Sequence, residues 1–136
     1  MGRAFETLTI SEIVEINRRM IESFGGVFFE GDSNLANPGS LEYVLAEIQG
    51  MMFGKELHPS IPEKAAAIGW RIIAGHAFHD GNKRTGMEAC RLFLDLNGYT
   101  LHIDREAVLM ALKIITAEAD LPEFTRWIEQ HSTKRT

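Results

Sequence analysis

The sequence predicts an all-α fold, a compact bundle of about six helices in one domain spanning residues 1–136. Three observations carry this reading. Apolar residues recur at helical spacing in successive segments along the chain. Hydroxyl, Asp or Asn residues stand in front of most of those segments, where a helix start needs an acceptor. Alternating strand patterns are nearly absent.

The first helix starts at Thr9, because Thr9 and Glu12 have capping-box spacing. Ile10, Ile13, Val14, Asn17, Met20, Ile21 and Phe24 follow a 3.6 period, with Asn17 the one polar interruption, and Gly25-Gly26 ends the helix. Residues 27–37 are the least regular: Val27-Phe28-Phe29 suits a short strand, Glu30 to Asn34 reads as a turn, and together they suggest a two-stranded flap. A second helix opens at Asn37-Pro38 with Leu41, Val44, Leu45 and Ile48 as its stripe; Gly50 to Pro59 is then expected to be loop. The third, capped by Ser60 with Glu63, runs through Ala65, Gly69, Ile72 and Ile73 toward His76. A short loop leads to the fourth, from Asn82 to the Asn97-Gly98 stop, apolar on most sides in its second half and so central. The fifth follows Asp104 and carries Ala107, Val108, Ala111, Leu112 and Ile115; the sixth follows Asp120 and buries Phe124, Trp127 and Ile128. Leu101-His102-Ile103 alternates but is too short to build a sheet, and residues 131–136 are expected to fray as a polar tail.

Composition narrows the function. The apolar share of 45% supports one core, and no stretch approaches the roughly 20 apolar residues of a membrane span. No charged region followed by an apolar run marks a signal peptide, and Glu6 spoils a Met1-Gly2 myristoylation signal. The single cysteine, Cys90, rules out an internal disulfide and suits a reducing cytoplasm; on a buried helix it is expected to be inert packing. A net charge of −5 argues against a dedicated nucleic-acid binder while leaving room for a local anion site.

That site is read in His76-Ala77-Phe78-His79-Asp80-Gly81-Asn82-Lys83-Arg84. A helix begins at Asn82, so its unpaired N–H groups point into the turn and attract anions. Asn82 is expected to cap that end and to donate its side-chain amide. Lys83 and Arg84 place two cations in the first turn, where cations are disfavoured unless an anion compensates. Asp80 is a hard oxygen ligand of the kind that holds Mg²⁺ together with substrate phosphates. His76 brings an imidazole, a side chain suited to general-base work near neutral pH. Base, metal carboxylate and phosphate cradle within nine residues are the parts needed for phosphoryl or nucleotidyl transfer.

The same residues resemble the Fic/Doc family signature, His-x-Phe-x-(Asp/Glu)-Gly-Asn-(Gly/Lys)-Arg, at all seven specified positions. Asn37-Pro38-Gly39-x-Leu41-Glu42 and the stretch from Ser60 to Gly98 are similar to the death-on-curing (Doc) toxin branch. The resemblance implies that His76 deprotonates a target hydroxyl and that Phe78 anchors the loop. It implies that Asp80 holds Mg²⁺ and that Gly81, Asn82, Lys83 and Arg84 hold the phosphates of ATP. A flap at 27–37 would dock the target segment. Lys83 stands where adenylyl-transferring Fic enzymes usually have Gly, and Met87 where they usually have a second Arg. Those departures favour phosphate transfer over AMP transfer. For the Doc branch, the implied target is a Ser or Thr of elongation factor Tu, with translation halted. An inhibitory (Ser/Thr)-x-x-x-Glu-(Gly/Asn) helix has no match, since Ile16 follows Glu15 and Gln130 follows Glu129. A separate antitoxin peptide is therefore the expected partner.

Other residues have plainer readings. His79 is expected to face solvent, and His58, His102 and His131 read as surface or loop histidines. Trp70 and Trp127 read as core, while Arg71 and Arg91 reach either phosphate or solvent. A metal-dependent phosphohydrolase of the HD kind, built on His58 and His79-Asp80, is a competing reading, but it leaves Asn82-Lys83-Arg84 without a role. No Gly-x-x-x-x-Gly-Lys-(Ser/Thr) run supports a P-loop NTPase.

Overall fold

Capping side chains set most of the helix starts. The structure is a computed structural model and describes residues 5–29, 33–52 and 54–136. Among the described residues it contains six helices: α1 (Ile10–Phe24), α2 (Pro38–Glu47), α3 (Ile61–Ala74), α4 (Asn82–Leu96), α5 (Arg105–Ile115) and α6 (Leu121–His131). Thr9, Ser60 and Asp120 accept from the N–H of Glu12, Glu63 and Glu123, whose carboxylates return the bond. Asp104 accepts from Ala107 N and caps α5. Among the described residues no helix is long and apolar enough to cross a membrane.

The core forms around α3 and α4. Ile68, Ile72 and Ile73 of α3 and Ala89, Cys90, Phe93 and Leu94 of α4 are buried, and α1, α5 and α6 pack around this pair. The two central helices cross on glycine: a Cβ on Gly69 would run into Cys90 Sγ, and one on Gly86 into the Ile73 side chain. Cys90 is fully buried, and desolvation pushes its thiol up to about 12, so its inert-packing reading holds.

Four expectations need correction. The 50–59 loop contains a two-residue hairpin, β1 (Met51–Met52) with β2 (Lys55–Glu56). Its base is held by Lys64 of α3, a fully buried lysine whose Nζ donates to Glu56 Oε1 at 2.9 Å and to the carbonyl of His58. The tail does not fray: β4 (Ser132–Lys134) pairs antiparallel with β3 (Tyr99–Leu101), and Arg135 binds the Asp95 and Tyr99 carbonyls at 2.7 and 2.6 Å. In α5 the buried face is Ala107, Ala111 and Ile114, while Val108, Leu112 and Ile115 are exposed. Val27-Phe28-Phe29 forms no strand with the described residues, and residues 30–32, the centre of the expected flap turn, lie outside the described residues.

Candidate active site

The loop between α3 and α4 is held from both flanks. Ala77 N donates to Ile72 O at 3.2 Å, closing the end of α3. From the other side, Ala36 N and Asn37 N both donate to Ala77 O, at 2.9 and 3.1 Å, and His79 N donates to Asn34 O at 2.9 Å. Leu35 and Phe78 form an isolated antiparallel bridge. The described part of the expected flap thus lies along the loop as a ledge. Phe78 is 1% exposed and anchors the loop in the core, as the family resemblance implies.

His76 is exposed at the start of this loop with φ +48°. Few residues other than glycine occupy that region, and such strained positions concentrate at functional sites. Beside it lies a cleft of about 400 Å³ lined by Trp70 and Ala74 of α3, Ile114 and Ile115 of α5, and the Asp120 cap of α6.

Asp80 is also exposed, and its carboxylate is preset by backbone donors: Gly81 N to Oδ1 at 2.9 Å and Val27 N to Oδ2 at 3.0 Å. Among the described residues no three His, Cys, Asp or Glu side chains gather as a metal cage. A single oriented carboxylate beside a helix start of the kind that attracts anions fits Mg²⁺, which keeps water and takes substrate phosphates as ligands.

Gly81, at φ +78°, is the N-cap of α4. Among the described residues the backbone N–H groups of Asn82, Lys83 and Arg84 have no intramolecular acceptor, so the first turn presents three donors to an anion. The expectation for the Asn82 side chain is corrected here. Its amide turns inward, 9% exposed, accepts from Phe78 N at 2.8 Å and donates to Phe78 O at 2.8 Å. It clamps the loop rather than capping the helix, and its backbone N–H is left for an anion.

Lys83 and Arg84 are exposed and have no carboxylate partner among the described residues. Arg84 lies 3.9 Å from the centroid of the Phe24 ring, a cation–π contact that keeps it over α1. Both cations line a groove of about 290 Å³ together with Met20, Phe24, Met87, Val108 and Ala111.

Known proteins match this sequence. The family model described as Fic/DOC family matches residues 7–94. The chain belongs to the Fic/DOC family. Toxin Doc of Mycolicibacterium smegmatis (strain ATCC 700084 / mc(2)155) is 32% identical over 110 residues, covering 78% of this chain and 84% of the relative. Protein kinase doc of Escherichia phage P1 is 25% identical over 107 residues, covering 79% and 80%. Both relatives carry Doc names, in line with the branch that the motif suggests.

Several residues of this Fic/DOC chain prove to have other duties. His58 Nε2 lies 2.9 Å from Glu47 Oε2, so it is spent on α2 and does not join His79-Asp80. His79 is exposed as expected, with its ring edge-on to Phe29 at 5.1 Å. Arg71 lies over Tyr43 and near Glu47, and Arg91 binds Glu88 at 2.6 Å, so neither is committed to the loop. Trp127 is buried, whereas Trp70 packs on the core and also lines the His76 cleft. Sequence reasoning missed the groove, because its walls come from three helices. It also missed Asn34, which nothing marked beyond its place in a turn. Asn17 did leave a signal, as a polar residue inside an apolar stripe.

Proposed function

We propose that this protein is a Doc-like toxin that transfers the γ-phosphate of Mg-ATP to a Ser or Thr hydroxyl of a protein in the cytoplasm. Elongation factor Tu is the expected target, and a separate antitoxin the expected silencer. The names of its relatives, a toxin and a protein kinase, support the class. The observation that carries the chemistry is the start of α4, where three N–H groups without an acceptor and two cations without a carboxylate partner, among the described residues, share one loop with Asp80 and His76.

The roles follow from position. His76 takes the proton of the acceptor hydroxyl, whose oxygen forms the bond to the γ-phosphorus as the bond to the bridging β–γ oxygen breaks and ADP leaves. The N–H groups of residues 82–84, with Lys83 and Arg84, hold the phosphate oxygens and stabilise the charge that spreads over them. Mg²⁺ held by Asp80 would neutralise charge on the same phosphates. In-line transfer sends the leaving group away from the base, so of the two hollows at the loop the groove beyond Arg84 receives it. Met20, Phe24 and Met87 make that groove a better match for the nucleoside of a departing ADP than for a departing pyrophosphate.

The test is a paired label experiment with purified elongation factor Tu. Label from γ-labelled ATP should reach the target, and label from α-labelled ATP should not. The reverse pattern would make the protein an adenylyltransferase.

A further inference from the structure

Asn17 interrupts the apolar face of α1, and both it and Asn34 are fully buried. Together they close a circuit of hydrogen bonds on Asp80. Asn17 Nδ2 donates to the Asp80 carbonyl at 2.9 Å and to Thr85 Oγ1, in the first turn of α4, at 3.0 Å. Asn17 Oδ1 accepts from Asn34 Nδ2 at 2.8 Å. Asn34 Nδ2 also donates to the Val27 carbonyl at 3.1 Å, and Asn34 Oδ1 accepts from Phe29 N at 3.1 Å. Val27 N then donates to Asp80 Oδ2 at 3.0 Å, which completes the ring. The backbone can come this close because residue 26 is glycine: a Cβ there would lie 2.9 Å from Asp80 Oδ2.

We propose that Asn17 and Asn34 are positioning residues for the Asp80 carboxylate, fixing it relative to the start of α4 before metal and nucleotide arrive. The inference rests on the reading of Asp80 as the Mg²⁺ carboxylate. Packing alone does not call for these residues, since an apolar side chain would fill the face of α1 and avoid burying an amide pair. What the pair adds is a fixed path from one end of Asp80 to the other. Its main-chain carbonyl is tied to α4 through Asn17. Its carboxylate is tied to Val27, which Asn34 holds in turn. Outer partners of this kind orient a ligand without touching the metal.

Asn34 has φ +61°, a backbone that glycine adopts readily, so Asn34→Gly removes the amide without straining the chain. The variant should keep the wild-type circular dichroism, and its Val27 amide should exchange with solvent about tenfold faster. The Mg²⁺ concentration that half-saturates ATP binding, followed by calorimetry, should rise about 10–100-fold. ATP affinity without divalent cation should stay unchanged, which a general loss of structure would not give. Asn34→Asp keeps the acceptor for Phe29 N but loses both donors; it should show the same Mg²⁺ shift, and it carries the test if the glycine variant does not fold. An unaltered Mg²⁺ requirement in these variants overturns the proposal. Asp80→Ala tells the two failures apart. If it abolishes the Mg²⁺ dependence that the Asn34 variants leave intact, the relay alone is wrong. If it too binds Mg-ATP like wild type, the metal reading of Asp80 is wrong as well.

Discussion

His76 combines an exposed imidazole with a left-handed backbone, and this sets how it should be tested. Alanine there carries a backbone cost of roughly 1–2 kcal/mol, whereas asparagine tolerates the conformation. His76→Asn should therefore melt close to wild type and lose transfer activity by about 10²-fold or more. Unchanged activity in a folded variant would defeat the base assignment. Asn82 makes the opposite prediction. Truncation to alanine leaves the buried N–H and carbonyl of Phe78 unpaired, which should cost about 1–3 kcal/mol in urea unfolding. At this scale the motif was legible because chemistry confines residue type: His76, Asp80, Lys83 and Arg84 all reach solvent at the loop or the first turn of α4. The Asn82 side chain was not legible, since an amide at a helix start serves a phosphate or its own loop equally well.

The crossing of α3 and α4 is the element on which the site stands, because the loop spans its open end. Gly86→Ala would push a methyl into Ile73, and overpacking of that kind should cost about 1–3 kcal/mol. Gly39→Ala in α2, where nothing lies within 4 Å, should be neutral or stabilising by about 0.5–1 kcal/mol in the same urea titration. Equal effects at the two positions would contradict the close crossing. Cys90 adds a pH signature. Its thiol is raised from 9.0 to about 12 in the folded protein, so the native state keeps the proton longer than the unfolded chain. That contribution is complete below pH 9 and is lost as pH rises toward 12. Cys90→Ala should flatten the alkaline fall in stability between those limits. Helix starts were readable because caps are local chemistry, as Thr9, Ser60, Asp104 and Asp120 show. The β3–β4 pairing was not, because Tyr99 and Lys134 meet only through tertiary packing. The inward face of α5 shifted because Ile114, not Ile115, meets the core once α5 lies against α3 and α4.

For the whole molecule, the all-α bundle positions the loop where α1, α4 and α5 leave a groove beside two cations. A toxin of this design should slow bacterial growth when expressed alone, and His76→Asn should relieve the arrest at equal soluble yield. Harmless expression of soluble wild-type protein would count against the toxin reading. Everything depends on the first turn of α4 receiving the polyphosphate. Backbone amide chemical shifts during titration with Mg-ATP report this directly. The largest changes should fall on Asn82, Lys83 and Arg84 and should shrink in Arg84→Glu; saturable shifts clustered elsewhere, with these three amides unmoved, would contradict it.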